Sequence, residues 1–417
     1  MNAATLPPPR IETLDVLRGI AVMGIFSVNV IGFAMPIQAY FNPSAYGGAG
    51  GADLATWALN FVLVDGKMRG LFSLLFGASM LLVIEQAEAA GRSPAGVHYR
   101  RMAWLLLFGL AHFYLVWFGD ILISYAAIGM VAFLFRRLPV HSLLVAAGMA
   151  LILSFVLAAG LSHHVTTTAA AAAAPGASAE ALAAWQETLR HFGAPQGAAL
   201  AQDLALHRGG YSGLVHHRLT ELAGDPLGQI LFGGPETLAF MLLGMAGLRS
   251  GFLGGRWEAR RYRRIAAAAL AVGMPAYALL AWLNWSSGFA PETVVTMFIG
   301  LAAPVRPVMM LGYAALFVLF ALRGGWLAER IGAVGRAALT NYLGTSLVAT
   351  FVFYGYGLGL YGHVGRFEAW LLAPLVWALM LAWSKPWLDR HLYGPLEWLW
   401  RSLARWRLQP MRRPAAA

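Results

Sequence analysis

The sequence predicts an all-α, polytopic transmembrane helix bundle of about ten spans, with both termini cytoplasmic and a small extracytoplasmic insertion. Three observations carry this prediction. Of 417 residues, 59% are hydrophobic and only 12% charged, about half of the roughly 25% usual for a soluble domain. Mean hydropathy is +0.62. Apolar runs close to the roughly 20 residues that cross a hydrocarbon core about 30 Å thick recur from end to end, and arginines cluster between them.

The elements follow in order. Span 1 covers about 18–35 and ends at Pro36. The stretch 53–65 is too short to cross and reads as an interfacial helix, ahead of span 2 at about 68–87. Spans 3 and 4, about 101–117 and 120–135, form a tight hairpin that turns at Gly119. Span 5, about 141–161, completes a first transmembrane unit, 1–161. Residues 162–225 change character, with an Ala/Thr tract broken by Pro175 and Gly176 and then Glu180, Glu187, Arg190 and Asp203. This segment reads as a helical or partly disordered insertion outside the membrane. Spans 6 and 7 cover about 229–248 and 264–283. In 292–322, interrupted by Pro304, Arg306 and Pro307, residues 292–303 read as re-entrant or interfacial and 305–322 as span 8, with two short spans as the alternative. Spans 9 and 10, about 337–357 and 367–384, complete the second unit, 226–384. The tail, 385–417, contains LEWLWRSLARWRLQP and reads as an amphipathic helix on the cytoplasmic membrane surface.

Sidedness follows from the preference of Lys and Arg for cytoplasmic loops. An inside N-terminus places Arg10 and Arg18, Arg92 with Arg100 and Arg101, Arg136 with Arg137, and the run from Arg249 to Arg264 on the cytoplasmic side. Arg336 and the basic tail join them, and the other side keeps seven, among them Lys67, Arg69, Arg306 and Arg366. The net charge of +11 is therefore spread through membrane loops, and no nucleic acid is expected as a partner. The absence of Cys excludes disulfides and thiolate metal sites. The insertion's histidines have no diagnostic spacing, so no metal is expected. The N-terminal apolar run lacks a small-residue cleavage site and is followed by further spans, unlike a secretory signal peptide.

Ionisable groups at membrane depth are costly, and they either pair inside the bundle or line a path. Asp15 and Arg18 share a helix face as span 1 begins, either as a ligand-binding pair or as an ion pair that fixes the helix start. Asp65, Lys67 and Arg69, broken by Gly66 and Gly70, suggest backbone that bends back into the protein, with snorkelling cations as the plain alternative. His112 suits a general base in a low-dielectric cavity, provided a carboxylate orients its other nitrogen. Asp120 lies eight residues on; along a continuous helix that is about 12 Å, which predicts that the two do not touch and that His112 needs another partner. Glu236 stands behind Pro235 near the outer end of span 6. Asn341 and Thr345 share a face of span 9, as packing glue or as ligand contacts. Gly335 and Arg336 just before it could end a turn whose free N–H groups face an anion.

The blocks RIETLDVLRGIAVMGIFSVNV at 10–30, GKMRGLFSLLFGAS at 66–79, GDILISYAAIGM at 119–130, GRAALTNYLGTSL at 335–347, FYGYGLGL at 353–360 and GPLEWLWR at 394–401 resemble the bacterial YeiB-like family of multispan inner-membrane proteins of unknown function. That family is distantly similar to the transmembrane acyltransferases, which pass acyl groups to saccharides across a bilayer. In those relatives an Asp-x-x-Arg-Gly opening is followed by a histidine important for transfer. Asp15, Arg18 and Gly19 match the opening, but the histidine position holds Asn29, whose amide cannot serve as a base. The heparan N-acetyltransferase relatives, similar at MGIFSVN, use a histidine beyond that asparagine, and none occurs between Asn29 and Lys67 here. Either His112 has taken over or the reaction has been lost. Arg101 and His112 reproduce the arginine-to-histidine separation.

The resemblance implies a membrane-embedded acyl transferase of the bacterial inner membrane. It would use acyl-coenzyme A or another thioester as donor and a small-molecule or lipid-linked acceptor among membrane lipids, and it leaves homo-oligomerisation open. His112, Asp120, Asp65 and Glu236 are the catalytic candidates, and Asp15, Arg18, Asn29, Lys67, Arg69, Arg101 and Asn341 are the candidates for binding the donor. A transporter or flippase for a small metabolite, lipid or saccharide unit is the chief alternative. A non-catalytic scaffold or sensor is the third.

Overall fold

The computed structural model describes residues 11–413; Arg10, counted above among the cytoplasmic charges, lies outside them. Among the described residues the regular structure is helical, apart from one isolated antiparallel bridge between His391 and Arg412. The first unit contains α1 (Glu12–Ala34), short α2 (Gln38–Phe41), α3 (Gly51–Leu63), α4 (Lys67–Ala89) and α5 (Pro94–Ala111). A π-helical turn, His112–Val116, extends α5, and α6 (Leu122–Ala132) and α7 (Val140–Ala173) follow. The insertion forms α8 (Ala179–Phe192), α9 (Gly197–Arg208) and α10 (Tyr211–Thr220). The second unit contains α11 (Asp225–Arg249), α12 (Ala259–Ser286), α13 (Pro291–Val294), a π stretch Val295–Leu301, α14 (Ala302–Arg323), α15 (Trp326–Arg336) and α16 (Ala338–Phe353). The last helices are α17 (Arg366–Trp370), α18 (Leu372–Arg390) and α19 (Pro395–Ala404).

Among the described residues, seven helical runs are long and apolar enough to cross a membrane, and two shorter apolar helices, Leu122–Phe135 and Ala338–Phe353, accompany them. The protein is thus a polytopic helical membrane protein, and each expected span falls on a helix. The outward face of α7 is apolar and exposed at Leu144, Met149, Ile152, Leu153 and Val156, which suits a side turned to lipid rather than water.

Two expectations change. The stretch 292–303 is neither re-entrant nor a separate span, because Pro291–Arg323 is one continuous 33-residue helical run. Its π-helical stretch widens the turns just ahead of Pro304 and Pro307, neither of which can donate an amide bond to the preceding turn. The expected interfacial helix is α3, which buries Thr56, Trp57 and Phe61 and packs against α12 and α17. Span 5 does not stop near 161: α7 has 34 residues, about 51 Å at 1.5 Å per residue, and carries the chain well past one hydrocarbon thickness. The insertion after it is helical and docks back on the bundle. Tyr211 donates to the Leu115 carbonyl at 2.8 Å, Tyr114 to the Ala223 carbonyl at 3.0 Å, and the Arg208 Nε to the Tyr361 carbonyl at 2.8 Å.

The spans pack through small residues and a central first helix. At the α4–α11 crossing, Gly77 lies against the Met241 backbone and Gly244 against the Leu74 carbonyl, so a Cβ at either position would overlap the facing chain. Helix association in lipid depends on such close backbone approach, because apolar side chains gain little by leaving lipid for each other. Helix α1 runs through the middle, touching α4, α14, α15 and α16 with Leu17, Ala21 and Val30 fully buried. Its first turns therefore reach the cavity described next.

Candidate functional site

The starts of α1 and α5, the ends of α4 and α15, and the C-terminal segment surround a cavity of ≈ 1310 Å³. Arg18, Arg92, Arg100, Arg101 and Arg336 line it from the bundle, and Arg401, Arg405 and Arg407 line it from the C-terminal segment. Among its described lining residues Asp15 is the only carboxylate. A second cavity of ≈ 210 Å³ shares Arg18, Ser79, Val83, Arg101, Arg336 and Arg401 with the first and continues inward between Phe72, Phe76, Met80, Met102, Leu105 and Leu122. Together they form a basic vestibule that leads to an apolar recess.

Local structure fixes these side chains. Arg18 donates to Asp15 at 3.2 Å and to Ser79 Oγ at 2.5 Å, with a longer contact to the Gly335 carbonyl at 3.4 Å. The α1–α15 crossing can be this close because Gly19 and Gly335 present no Cβ to the opposing backbone. The Arg101 guanidinium lies over the Trp400 ring at 4.1 Å, and the Trp400 indole N–H donates back to the Arg101 carbonyl at 2.9 Å. Glu397, on α19, caps α16: its carboxylate accepts from the N–H groups of Leu339 (2.6 Å) and Thr340 (3.1 Å) and from the Thr340 hydroxyl (2.6 Å). A carboxylate at a helix N-terminus satisfies orphan amides and complements the dipole. Burial raises the Glu397 pKa, and the bonds from Thr340 and Leu339 oppose that rise.

Behind the recess lies the buried histidine. His112 Nδ1 and Asp120 Oδ2 are 2.7 Å apart, with both side chains almost completely buried. This overturns the expectation that Asp120 cannot reach His112. The helix ends in the π turn, Trp117 adopts an extended conformation (φ −158°, ψ 133°), and the chain reverses, so the two residues are not eight steps along one axis. The Ile123 amide donates to Asp120 Oδ1 at 2.8 Å and holds the carboxylate. A neutral ring that donates Nδ1–H to Asp120 has Nε2 as an acceptor; Nε2 is buried and, among the described residues, has no hydrogen-bond partner. The ring centroids of His112 and Tyr342 are 5.4 Å apart, and Tyr342 lines the recess, so this side chain touches both the recess and the dyad. The Tyr342 hydroxyl accepts from the Ile121 amide at 3.2 Å, in the turn that carries Asp120.

The other expected residues divide. Asp15, Arg18 and Arg101 gather at the vestibule. Asp65, Lys67, Arg69 and Glu236 form a separate interior cluster in which Glu236 pairs with Arg69 at 2.6 Å and with Arg306. Asp65 accepts from the Tyr40 hydroxyl at 2.9 Å. The Lys67 ammonium is fully buried; it donates to the Phe61 carbonyl at 2.5 Å and sits 3.1 Å from the Tyr277 ring centroid. Lys67 is drawn into the bundle rather than snorkelling, whereas the Arg69 side chain stays 36% exposed. Tyr125 links the cluster to the recess, which it lines while bonding Ser73 and the Arg69 carbonyl. Asn29 is half-buried and lines neither cavity. The Asn341 amide is used between helices: it donates to the Val334 carbonyl (3.0 Å) and Ser384 (3.2 Å) and accepts from the Trp383 indole (2.9 Å), which is the packing role the sequence also allowed.

Sequence reasoning missed the vestibule roles of Arg92 and Arg100, the Glu397 cap, and the Arg306 partner of Glu236. The block GPLEWLWR contained the clue to Glu397, but its partner is 57 residues away. Comparison with known proteins adds the following. Residues 248–407 match a family described as "Protein of unknown function (DUF418)". The chain is 32% identical to the uncharacterized protein YeiB of Escherichia coli K12, over 94% of this chain and 95% of the relative. It is 31% identical to the uncharacterized protein YxaH of Bacillus subtilis 168, over 98% and 97% of the two chains.

Proposed function

We propose, from the premise that this chain belongs to the YeiB-like, DUF418 family of membrane proteins, that it transfers an acyl group from a cytoplasmic thioester donor to a small acceptor within a bacterial inner membrane. The observation that carries the reading is the arginine-lined vestibule, which opens into an apolar recess whose lining residue Tyr342 packs against a buried His–Asp dyad. Arginines bind phosphate oxygens through forked, charge-assisted hydrogen bonds, which suits the head of acyl-coenzyme A. The recess suits its thioester arm. The positive-inside rule places this end of the bundle in the cytoplasm, where such donors are made.

In this reading His112 Nε2 takes the proton from an acceptor hydroxyl or amine as that atom attacks the thioester carbonyl. The C–S bond breaks, and the proton passes from His112 to the departing thiolate. Asp120 keeps Nδ1–H oriented and stabilises the imidazolium while it is charged. The Tyr342 side chain has to swing aside for the recess to reach His112, which makes that rotation part of the cycle. The test is acyl-coenzyme A turnover by purified, reconstituted protein. His112→Ala should lower transfer roughly 10²–10⁴-fold, the contribution of a general base, while donor binding persists. Equal transfer by both proteins removes His112 from the mechanism.

The interior cluster favours transport as a second reading, because intramembrane ionisable groups often line a substrate path. Flux of an unmodified ligand into proteoliposomes, lost in Glu236→Gln, would support it over transfer.

A further inference from the structure

The vestibule has one wall that is not part of the bundle. Residues after α18 turn back at the His391–Arg412 bridge, where Leu392 N–H donates to the Met411 carbonyl at 2.9 Å and Arg413 N–H to the Arg390 carbonyl at 3.1 Å. Between these bonds lies a compact flap comprising α19 and the strand-like return through Gln409. It is tied to itself by the Trp398 indole on the Gln409 carbonyl (2.7 Å) and by Arg405 on the Gln409 side chain (2.6 Å). Among the described residues its polar attachments to the bundle include the Glu397 cap on α16, the Leu396 amide on the Thr340 hydroxyl (3.0 Å), the Trp400 indole on α5 and the indole of Trp387 on α18, which donates to the Tyr393 carbonyl at 2.9 Å.

The charges facing each other across the cavity share one sign. The flap presents Arg401, Arg405 and Arg407, and the bundle presents the five arginines already named. Asp15, the carboxylate on the lining, is itself bonded to Arg18. Burial, followed by the neighbouring Arg405 and Arg18, lowers the pKa of Arg401, with Tyr393 and Glu397 acting in the opposite sense. Like charges in a partly enclosed space are poorly screened, so the flap rests against the bundle while repelled by it. An anion with several charges, set between the two walls, turns that repulsion into attraction on both sides at once.

We propose that the C-terminal segment is a lid that closes on a ligand carrying several phosphate charges, gripped by lid arginines on one side and bundle arginines on the other. Glu397 is the latch that retains the lid near its seat when no ligand is bound. The identification of this cavity with a donor site rests on the transfer reading above, but the closing motion can be measured without any transfer. The shared ligand chemistry is clustered phosphate, whether supplied by a soluble nucleotide-type donor or by anionic lipid headgroups.

The sequence contains no Cys, so Ala90→Cys just after α4 and Leu408→Cys on the exposed return of the lid provide the only thiols for a pair of spin labels. Distance distributions would be recorded by pulsed dipolar spectroscopy on the full chain in nanodiscs of zwitterionic lipid. Inorganic tripolyphosphate is the probe, with sodium chloride at matched ionic strength as the control. The expected result is a broad distribution with an open population that tripolyphosphate, and not chloride, collapses to one short distance. Glu397→Gln should enlarge the open population yet still respond. Arg401→Gln, Arg405→Gln and Arg407→Gln together should close the lid without ligand and abolish the response. Closure in discs containing phosphatidylglycerol, without tripolyphosphate, assigns the anion to lipid; closure only with tripolyphosphate assigns it to a soluble ligand. Identical distributions with and without tripolyphosphate, or the same change with chloride, overturn the lid. Absence of acyl transfer in a protein whose lid closes would overturn the transfer reading alone.

Discussion

At the scale of single residues, two buried polar side chains illustrate opposite uses of a hydrogen bond in a low-dielectric interior. Asn341 spends its amide on three partners in neighbouring helices. His112 spends one nitrogen on Asp120, and the other has no partner among the described residues. A satisfied group stabilises packing, whereas a buried polar atom without a partner costs free energy. Asn341→Ala should therefore lower stability by about 1–2 kcal/mol, near the upper end for interhelical hydrogen bonds in membranes. Donor affinity should stay unchanged. Thermal unfolding in detergent and a binding isotherm on the same preparation check both halves, and a large loss of affinity with stability intact would make Asn341 a ligand contact after all. Both residues stand out in the sequence as polar groups within apolar runs. Their roles do not, because satisfaction depends on partners such as Ser384 and Trp383, which the chain brings close only by folding.

At the scale of elements, the bundle is held by places where two helices come closer than side chains permit. Gly244 on α11 faces the Leu74 carbonyl on α4, and Gly77 faces Met241 in return. Gly148 on α7 has nothing within 4 Å of the position a Cβ would take. Gly244→Leu should lose more than the roughly 1–3 kcal/mol typical of overpacking, since backbone rather than a flexible side chain must yield. Gly148→Leu should be close to neutral. Melting temperatures of the two variants, measured side by side, give the comparison, and equal losses would show that the α4–α11 approach does not govern stability. The existence and approximate positions of α4 and α11 were legible in the residues, whereas the length of α7 was not. The continuity of Pro291–Arg323 was not: two prolines read as a break, while a local π-helical widening absorbs both.

At the scale of the whole molecule, the charges segregate. The vestibule arginines meet at one end, and Arg249 pairs with Glu85 and bonds the carbonyls of Arg136 and Leu138, all assigned to that same side by the positive-inside rule. The insertion helices and Arg366 gather with the connections at the opposite end, where Arg366 bonds the Ala39 carbonyl and Gln38 bonds the Arg190 carbonyl. Reporter fusions within 162–225 should accordingly read as extracytoplasmic and fusions after Arg413 as cytoplasmic; the reverse pattern would place the vestibule on the side that lacks thioester donors. The residues by themselves determined that the chain is a polytopic helical membrane protein and where most of its apolar helices lie. Those properties come from transfer free energies and helix length, which are sums over local composition. Folding alone decided that His112 meets Asp120, that Glu397 caps a helix on another part of the chain, and that eight arginines from five segments enclose one cavity, because each depends on a chain reversal or a crossing that no local sum encodes.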